Sequence, residues 1–239
     1  MVIEVRPATD FADVAAVLGP KRADASVCWC LSYRLPAKEN RTLRGTERAD
    51  KLAELMRQGP PGVLAYDGDE VVGWAAVHPR AGTSFASNRR IPHVDGRDVW
   101  TVWCIRVRPG HRGQGISHPL LAGAVDFARQ SGAPAIEGYP VDNRGHKVDL
   151  TMAYVGTRDL FEKAGFTKAA ATTSVLNGFP RVLMRLDLRR AERKRLRYRQ
   201  YSTSSSAADG ALPTCREAGP PIETLGLDRP EGSWTFVGG

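Results

Sequence analysis

The apolar residues of the chain fall into short runs with two kinds of spacing. Continuous or alternating apolar runs, bounded by Gly, Pro or Asp, predict β-strands at 2–6, 63–66, 71–77, 99–107, 135–141, 166–170 and 182–188. Apolar residues at helical spacing, with capping signals, predict helices at 11–18, 46–57, 119–130 and 157–163. The order β-α-α-β-β-β-α-β-α-β-β predicts an α/β fold in which helices flank a mixed central β-sheet.

Composition sets the C-terminal part of the chain apart. Residues 189–201 hold seven Arg or Lys and one Glu, and residues 202–239, rich in Ser, Gly and Pro, hold five acids and two Arg. Segments of this composition cannot bury enough apolar surface to offset the entropy that is lost on ordering. We therefore expect a folded domain at 1–188, and a basic segment with an irregular tail at 189–239.

Overall composition and charge narrow the class of protein. The chain has 239 residues, 42% of them hydrophobic, and a formal charge of +8 at pH 7. Because most of this excess lies in residues 189–201, a nucleic-acid-binding domain is not expected. No run approaches the ~18 apolar residues of a membrane span, and the N-terminus lacks the pattern of a signal peptide. With only four cysteines, the sequence predicts a cytoplasmic protein without disulfides or a structural metal.

Candidate chemistry is concentrated where the strand at 99–107 leads into the helix at 119–130. The connecting segment reads Pro109-Gly-His-Arg-Gly-Gln-Gly-Ile-Ser117. Glycines let the main chain approach a ligand closely, and the N–H groups at a helix N-terminus attract anions. The segment therefore predicts a phosphate or pyrophosphate site, although a bare Gly-x-Gly is also typical of a tight structural turn.

In its wider context this segment resembles the acyl-CoA-binding signature of the GCN5-related N-acetyltransferase (GNAT) superfamily. The signature R/Q-x-x-G-x-G/A reads Arg112-x-x-Gly115-x-Ser117 here. The resemblance extends over residues 2–188 and includes the Gly-Trp-Ala-Ala-Val77 strand and the motif Phe-Glu-Lys-Ala-Gly-Phe166. It implies the GNAT fold and an acetyl-CoA donor.

The resemblance also implies which residues hold the donor. Main-chain groups on the strand would bind the pantetheine arm and the thioester, at Ile105 and Val107. Main-chain amides of the following loop would wrap the pyrophosphate, at Arg112, Gly113, Gln114, Gly115, Ile116 and Ser117. Ser117 stands where the superfamily prefers Gly or Ala, and its small hydroxyl could donate to a phosphate oxygen.

The proton donor is where the sequence departs from the superfamily. Many members use a Tyr on the last helix to protonate the leaving thiolate, and the matching residue here is Phe161, which has no proton to give. Tyr154 is the first candidate to replace it and Tyr139 a weaker one. An ordinary half-buried tyrosine is the alternative interpretation of Tyr154.

A general base for the acceptor amine is sought among the carboxylates. Glu137 lies within a predicted central strand, where an ionised carboxylate is unfavourable unless it is paired or used. We therefore predict that Glu137 is the base, with Asp142 as the second option. The alternative is a salt bridge from Glu137 to an arginine on the neighbouring strand, such as Arg106.

The function that these residues imply is acetyl-CoA-dependent transfer of an acetyl group to a primary amine, by direct attack in a ternary complex. A small-molecule acceptor is expected. The alternatives are a protein N-terminal or lysine acetyltransferase, and a catalytically degenerate acyl-CoA-binding regulatory module. Acceptor contacts are expected from the irregular segments near 20–45, 80–97 and 142–156, and a homodimer, common in the superfamily, is left open.

Overall fold

The computed structural model describes residues 2–22, 25, 27–148, 153–176 and 178–188. The predicted tail at 189–239 lies outside these residues. The strands are β1 Ile3–Pro7, β2 Gly62–Asp67, β3 Glu70–Pro79, β4 Trp100–Val107, β5 Ala135–Gly138, β6 Thr167–Leu176 and β7 Phe179–Asp187. The α-helices are α1 Phe11–Leu18, α2 Ala37–Thr42, α3 Glu47–Gln58, α4 Ser117–Gln130 and α5 Arg158–Lys163.

The strands form one mixed sheet in the order β1-β2-β3-β4-β5-β7-β6. The pair β4–β5 is parallel and the other neighbours are antiparallel. A parallel pair needs a crossover connection, and α4 provides it. The mixed sheet flanked by helices confirms the predicted fold class.

Two hydrophobic clusters cover the two faces of the sheet. One cluster packs α4 and α5 against residues such as Val63, Ala75 and Ile105. The other packs α1 and α3 against the opposite face, around residues such as Trp74 and Cys104. Because adjacent strand residues point to opposite faces, Ile105 and Cys104 belong to different layers. In the part of the chain that the structure describes, no helix combines the length and the apolar character needed to cross a membrane.

The strands β4 and β5 separate after a short stretch of pairing. Their register runs from Trp100 opposite Ile136 to Val102 opposite Gly138, and β4 then continues to Val107 without β5 beside it. The pairing of β4 with β3 also shifts in register between Val102 and Cys104, a bulge that bends a strand locally. The sheet is therefore split at the C-terminal end of β4.

The chain after β5 turns away from the split and joins the segment before α5. The Val141 N–H donates to the Gly156 carbonyl over 3.1 Å, and the Arg158 N–H donates to the Val141 carbonyl over 2.9 Å. This turn ends β5 at Gly138, three residues before the predicted end at 141. Pro140, which lacks an N–H, lies at the turn.

Two further differences from the predicted elements concern irregular and edge regions. The short helix α2 is absent from the prediction because its residues, AKENRT, carry no apolar stripe and none of them is buried. The hairpin β6–β7 is longer than predicted, since β6 is an edge strand whose polar residues alternate with partly buried ones. The residues of α2 and β6 therefore carry little of the apolar signal on which the prediction depended.

Candidate active site

The loop between β4 and α4 takes its shape from three glycines with positive φ. The φ angles of Gly110, Gly113 and Gly115 are +94°, +79° and +78°, a region that other residues rarely adopt. A Cβ atom added at any of the three would meet no heavy atom within 4 Å. The glycines are therefore required by the conformation of the backbone, and the space above them is open.

The same loop presents unpaired main-chain donors beside a helix N-terminus. Among the described residues, none accepts a hydrogen bond from the N–H groups of residues 112–117. They lead into α4, a helix of 14 residues, whose N-terminus carries a partial positive charge. Unpaired N–H groups around a helix N-terminus bind phosphate oxygens, so the loop fits a pyrophosphate.

The last residues of β4 turn main-chain groups towards the split in the sheet. The Arg108 N–H donates to the Val72 carbonyl of β3 over 2.9 Å. Because main-chain groups alternate in direction along an antiparallel strand, those of Ile105 and Val107 face away from β3 and into the split. The Val107 carbonyl accepts a hydrogen bond from Arg112 Nε over 3.3 Å. These strand groups fit an amide-containing chain laid along β4.

A cleft in two halves runs past this end of β4. The glycine-loop half has a volume of about 380 Å³ and is formed by residues 111–118 with the segment 156–160 before and within α5. The tyrosine half has a volume of about 400 Å³ and lies on the other side. Its lining comprises Cys28, Cys30, Ser32, Tyr33, Trp103, Cys104, Arg106 and Tyr154. Ile105, Val107 and Arg112 line both halves, which therefore adjoin at the end of β4.

Most residues predicted to hold the donor lie in the glycine-loop half. They are Ile105, Val107, Arg112, Gly113, Gly115, Ile116 and Ser117. Gln114 is exposed and lines neither half, and its side-chain amide donates to the Gly110 carbonyl over 3.2 Å. Its contribution to a ligand would therefore come from its main-chain N–H.

Two tyrosines from distant parts of the chain meet in the tyrosine half. The hydroxyls of Tyr33 and Tyr154 are 3.2 Å apart, and the Tyr33 ring stacks on Phe85 at 4.5 Å. Burial, and then the hydrogen bond with Tyr33, raise the pKa of Tyr154 well above its ordinary value. Tyr154 therefore carries its proton at neutral pH. Sequence reasoning missed Tyr33, because no local pattern distinguishes it from any other partly buried tyrosine.

Phe161, at the position of the usual proton donor, is packed inside the domain. Its side chain is fully buried, and its ring makes an edge contact with Phe166 at 5.0 Å. The ring also lies directly over Gly138, where an added Cβ would be 2.1 Å from Phe161 Cε1. Phe161 lines neither half of the cleft and serves packing instead.

Glu137 is fully buried in an ion cluster away from the cleft. Its carboxylate oxygens lie 3.0 Å from Arg80 Nη1 and 3.1 Å from Arg185 Nη1, and the Tyr139 hydroxyl donates to it over 3.2 Å. Burial raises the pKa of the Glu137 carboxyl, and the two guanidinium groups oppose that rise. The oxygens of Glu137 are thus engaged by Arg80, Arg185 and Tyr139, and Glu137 lines neither half of the cleft. This placement favours a structural ion pair, while the role of Glu137 as a base stays a prediction.

The other residues predicted around the base are also accounted for. The alternative interpretation, a salt bridge from Glu137 to an arginine on a neighbouring strand, is what the structure shows, but the arginine is Arg185 of β7. Arg106, the example given for that partner, lines the tyrosine half instead. Asp142, the second option for the base, is paired with Arg158 at 3.2 Å and lines neither half. Tyr139 is buried with its hydroxyl directed at Glu137, which removes it as a proton donor to the cleft.

Two thiols lie side by side at the floor of the tyrosine half. The Sγ atoms of Cys30 and Cys104 are 3.0 Å apart, and both side chains are buried. Contact with Cys104 and burial raise the pKa of the Cys30 thiol, so it is not a thiolate nucleophile. No histidine is among the described residues that line this half. The geometry therefore favours direct attack by an amine over an acyl-enzyme.

Comparison with known proteins assigns the class. The sequence model of the acetyltransferase (GNAT) family matches residues 31–166, more than half of the chain. No curated protein sequence matches. The chain belongs to the GNAT family, which confirms the predicted resemblance, the fold and the acyltransferase class.

Three solved structures that are similar to the chain are also described as acetyltransferases. A putative acetyltransferase, yncA, from Salmonella typhimurium with its cofactor acetyl-CoA is 20% identical, with a TM-score of 0.48 over 79% of this chain and 95% of that one. An N-acetyltransferase from Staphylococcus aureus Mu50 is 15% identical, with a TM-score of 0.47 over 79% and 99%. The PaiA N-acetyltransferase from Thermoplasma acidophilum, in complex with coenzyme A, is 14% identical, with a TM-score of 0.44 over 78% and 99%. The assignment rests on the family match, not on these distant similarities.

Proposed function

We propose that the protein transfers the acetyl group of acetyl-CoA to the primary amine of a small molecule, by direct attack in a ternary complex. The observation that carries this proposal is the cleft in two halves that adjoin at Ile105, Val107 and Arg112. One half fits the donor and the other is left for the acceptor. The two substrates would therefore meet where β4 and β5 separate.

Acetyl-CoA is the acyl donor that an acetyltransferase uses, and the loop between β4 and α4 offers main-chain groups that fit its pyrophosphate. The main-chain N–H groups of residues 112–117 would hold its pyrophosphate, and Ile105 and Val107 would hold the pantetheine chain. When bound, the donor supplies an activated acetyl thioester. Arg112 adds positive charge beside the phosphates, although its Nε donates to the Val107 carbonyl in this structure.

A small acceptor fits the dimensions of the tyrosine half. About 400 Å³ lies at the lower end of the range for small-molecule sites, about 300 to 1,000 Å³. The walls come from the segment at 28–33, from β4 and from Tyr154. A folded protein could present only a narrow, extended segment to such a space.

The roles of the residues follow from their positions. A main-chain N–H of β4 that faces the split, at Ile105 or Val107, would stabilise the negative charge that develops on the thioester oxygen. Tyr154 would donate its proton to the thiolate as the bond from carbon to sulfur breaks, while Tyr33 holds the Tyr154 hydroxyl in place, and the Tyr154 oxygen would take a proton back from water. Among the described residues, no carboxylate lines the tyrosine half, so the amine would lose its proton to water.

Location and assembly are part of the same proposal. The cysteines in the described residues are free thiols. The Sγ atoms of Cys30 and Cys104 are in hydrogen-bond contact at 3.0 Å and form no disulfide. Such a pair suits the reducing cytoplasm that the composition predicts. A homodimer stays a prediction, and sedimentation velocity would test it.

The test of this function is calorimetric titration of acetyl-CoA, with CoA beside it, into the wild type and a Gly115→Glu variant. We expect micromolar binding that the variant loses, because a carboxylate would occupy the open space above the loop and repel phosphate. Gly68→Glu is the matched control, since Gly68 also has positive φ and open space but lies in the β2–β3 turn.

Release of CoA over a panel of amines then measures turnover. No binding by the wild type would overturn the donor assignment. Binding without turnover on any amine would instead favour the degenerate regulatory module.

A further inference from the structure

Arg106 is the feature of the tyrosine half that the proposed reaction leaves unused. It is partly buried, and among the described residues no group accepts a hydrogen bond from its guanidinium or forms an ion pair with it. None of its side-chain nitrogens is among the buried polar atoms that lack a partner, so the guanidinium is open to the cleft and is not used by the protein itself. Such a group at a cleft wall is typical of a binding site for an anion.

The other interior arginines show how this fold normally treats the residue. Arg80 and Arg185 are paired with Glu137. Arg48 donates to the side chain of Asn40 over 2.7 Å, and Arg181 donates to the Tyr139 carbonyl over 2.7 Å. Each of these four side chains is held by at least one protein group, although each also keeps one buried nitrogen without a partner. Arg106 differs from them because no described residue forms a hydrogen bond or an ion pair with its guanidinium.

The position of Arg106 directs it to the acceptor and not to the donor. It lines the tyrosine half and is absent from the lining of the glycine-loop half. Residues two apart on a strand share a face, so Arg106 lies on the same side of β4 as Cys104, about 6.6 Å further along. Its charge also acts on the Cys30 thiol of that half.

We propose that the acceptor is an amine that also bears a carboxylate, and that Arg106 binds this carboxylate. This inference rests on the proposed function. A free guanidinium matches a carboxylate in charge and in its paired donor geometry. Arg112 adds a second positive charge to this half, and the described lining holds no acid to repel an anion or to bind a polycation. With the carboxylate at Arg106, the amine of the same molecule is directed along β4 to the end of the split.

The experiment pairs substrates that differ only in the carboxylate. CoA release is measured with amino acids and short ω-amino acids, and with the corresponding carboxamides, for the wild type and Arg106→Gln. Arg108→Gln is the control, because Arg108 lies on the same end of β4 but pairs with Glu70 and lines neither half. Since Arg106 has no ion pair to lose, the variant is expected to fold as the wild type does.

We expect the wild type to use the best carboxylate substrate about 10- to 100-fold better in kcat/KM than its carboxamide, as for a hydrogen-bonded charge. Arg106→Gln should lose that preference while its affinity for acetyl-CoA stays within about twofold, since Arg106 is outside the glycine-loop half. Arg108→Gln should keep both properties. Equal use of acid and amide by the wild type, or a variant that binds acetyl-CoA poorly and keeps the preference, would overturn the inference.

A second measurement does not depend on turnover. The same acids and amides are titrated into the protein saturated with CoA, and binding is followed by calorimetry. Carboxylate-selective binding that Arg106→Gln abolishes would support the inference even if no amine were acetylated, in which case the proposed function alone would fail. Binding that ignores the carboxylate would overturn the inference even if turnover were found.

Discussion

The reaction that we propose for the cleft depends on single side chains. The hydroxyl pair of Tyr33 and Tyr154 is the clearest case. The superfamily position for a proton donor is occupied by Phe161, whose ring is fully buried and packs against Gly138. Tyr154 comes from another segment and supplies a hydroxyl to the same cleft. The donor function can therefore be kept although its usual residue is replaced.

Removal of the Tyr154 hydroxyl should slow the chemical step. We expect Tyr154→Phe to lower kcat by about 100-fold, the low end of the contribution of a general acid, with a smaller change in KM. Tyr33→Phe should have a weaker effect, because Tyr33 only orients the partner hydroxyl. Steady-state kinetics over pH 6 to 9 would measure both, and a Tyr154→Phe enzyme with unchanged kcat would contradict the assignment.

Glu137 is the reverse case: the sequence predicts a base, whereas its ion pairs with Arg80 and Arg185 favour a structural role. Glu137→Gln keeps the shape of the side chain but leaves Arg80 and Arg185 without their carboxylate in the interior. Breaking a buried ion pair in this way destabilises a protein by about 3 to 5 kcal/mol. We expect urea denaturation to show a loss of that order, and the kcat of the folded variant to stay close to that of the wild type.

The pH profile separates this role from that of a base. If Glu137 removed a proton from the acceptor, the glutamine variant would lose kcat by orders of magnitude and its acidic limb would disappear. Glu162→Gln provides a control, since Glu162 is a helix carboxylate in a surface pair with Arg158 and should change neither stability nor kinetics much.

At the scale of single strands and helices, the contact between β5 and α5 fixes the position of the split in the sheet. Gly138 ends β5 and is the last residue that pairs with β4. Phe161 of α5 lies on it so closely that no Cβ can be accommodated without movement. The helix therefore holds the end of β5 in place while β4 continues alone.

A methyl group at Gly138 should disturb that contact. We expect Gly138→Ala to lower the free energy of unfolding by about 1 to 3 kcal/mol, as overpacking does. Phe161→Leu in the same chain should recover part of the loss, because the smaller side chain leaves room. Gly96→Ala is the control, since a Cβ there meets no atom within 4 Å. Additive effects of the two substitutions in denaturation experiments would contradict direct contact.

The elements could be predicted where their signal is local. The Asp10 cap, which accepts from the N–H groups of Ala12 and Asp13, the β2–β3 hairpin at Gly68 and the β4–loop–α4 unit all follow from short stretches of sequence. The edge strand β6 and the short helix α2 have weak local signals, so they were incomplete in the prediction or absent from it.

Contacts between distant segments could not be predicted in the same way. Tyr33 and Tyr154 are 121 positions apart, and Arg80 and Glu137 are 57 apart. A hydrogen bond of that range leaves no periodic pattern in the sequence. On the donor side of the cleft, the part built from β4 and the following loop is one continuous segment and could be predicted, whereas the contribution of residues 156–160 and the whole acceptor side could not.

The stability of the whole domain should depend on pH through a partly buried histidine, His78. Burial, and then the charge of Arg34, lower the pKa of His78 from 6.5 to about 4. The neutral form is therefore favoured in the folded state, whereas the unfolded chain takes up a proton as the pH falls below 6.5. This contribution to stability is present above pH 6.5 and is lost progressively as the pH approaches 4.

We expect His78→Gln to flatten that part of the pH profile. Between pH 7 and pH 4 the wild type should lose up to about 3 kcal/mol more stability than the variant, as a shift of this size implies. Urea denaturation at several pH values would measure the difference, with His93→Gln as the control because His93 is exposed. Parallel profiles for the wild type and His78→Gln would show that His78 does not titrate in this way.

The buried ion cluster also limits how the chain can diverge. Arg185 joins the buried Glu137 to the exposed Asp95, at 3.1 and 3.0 Å, while Arg80 pairs with Glu137 from the other side at 3.0 Å. Loss of one member leaves an uncompensated charge, whereas joint replacement by apolar residues can be neutral. In an alignment of relatives, positions 80, 137 and 185 should accordingly covary, and a chain with an apolar residue at 137 should have lost the arginines at 80 and 185 as well.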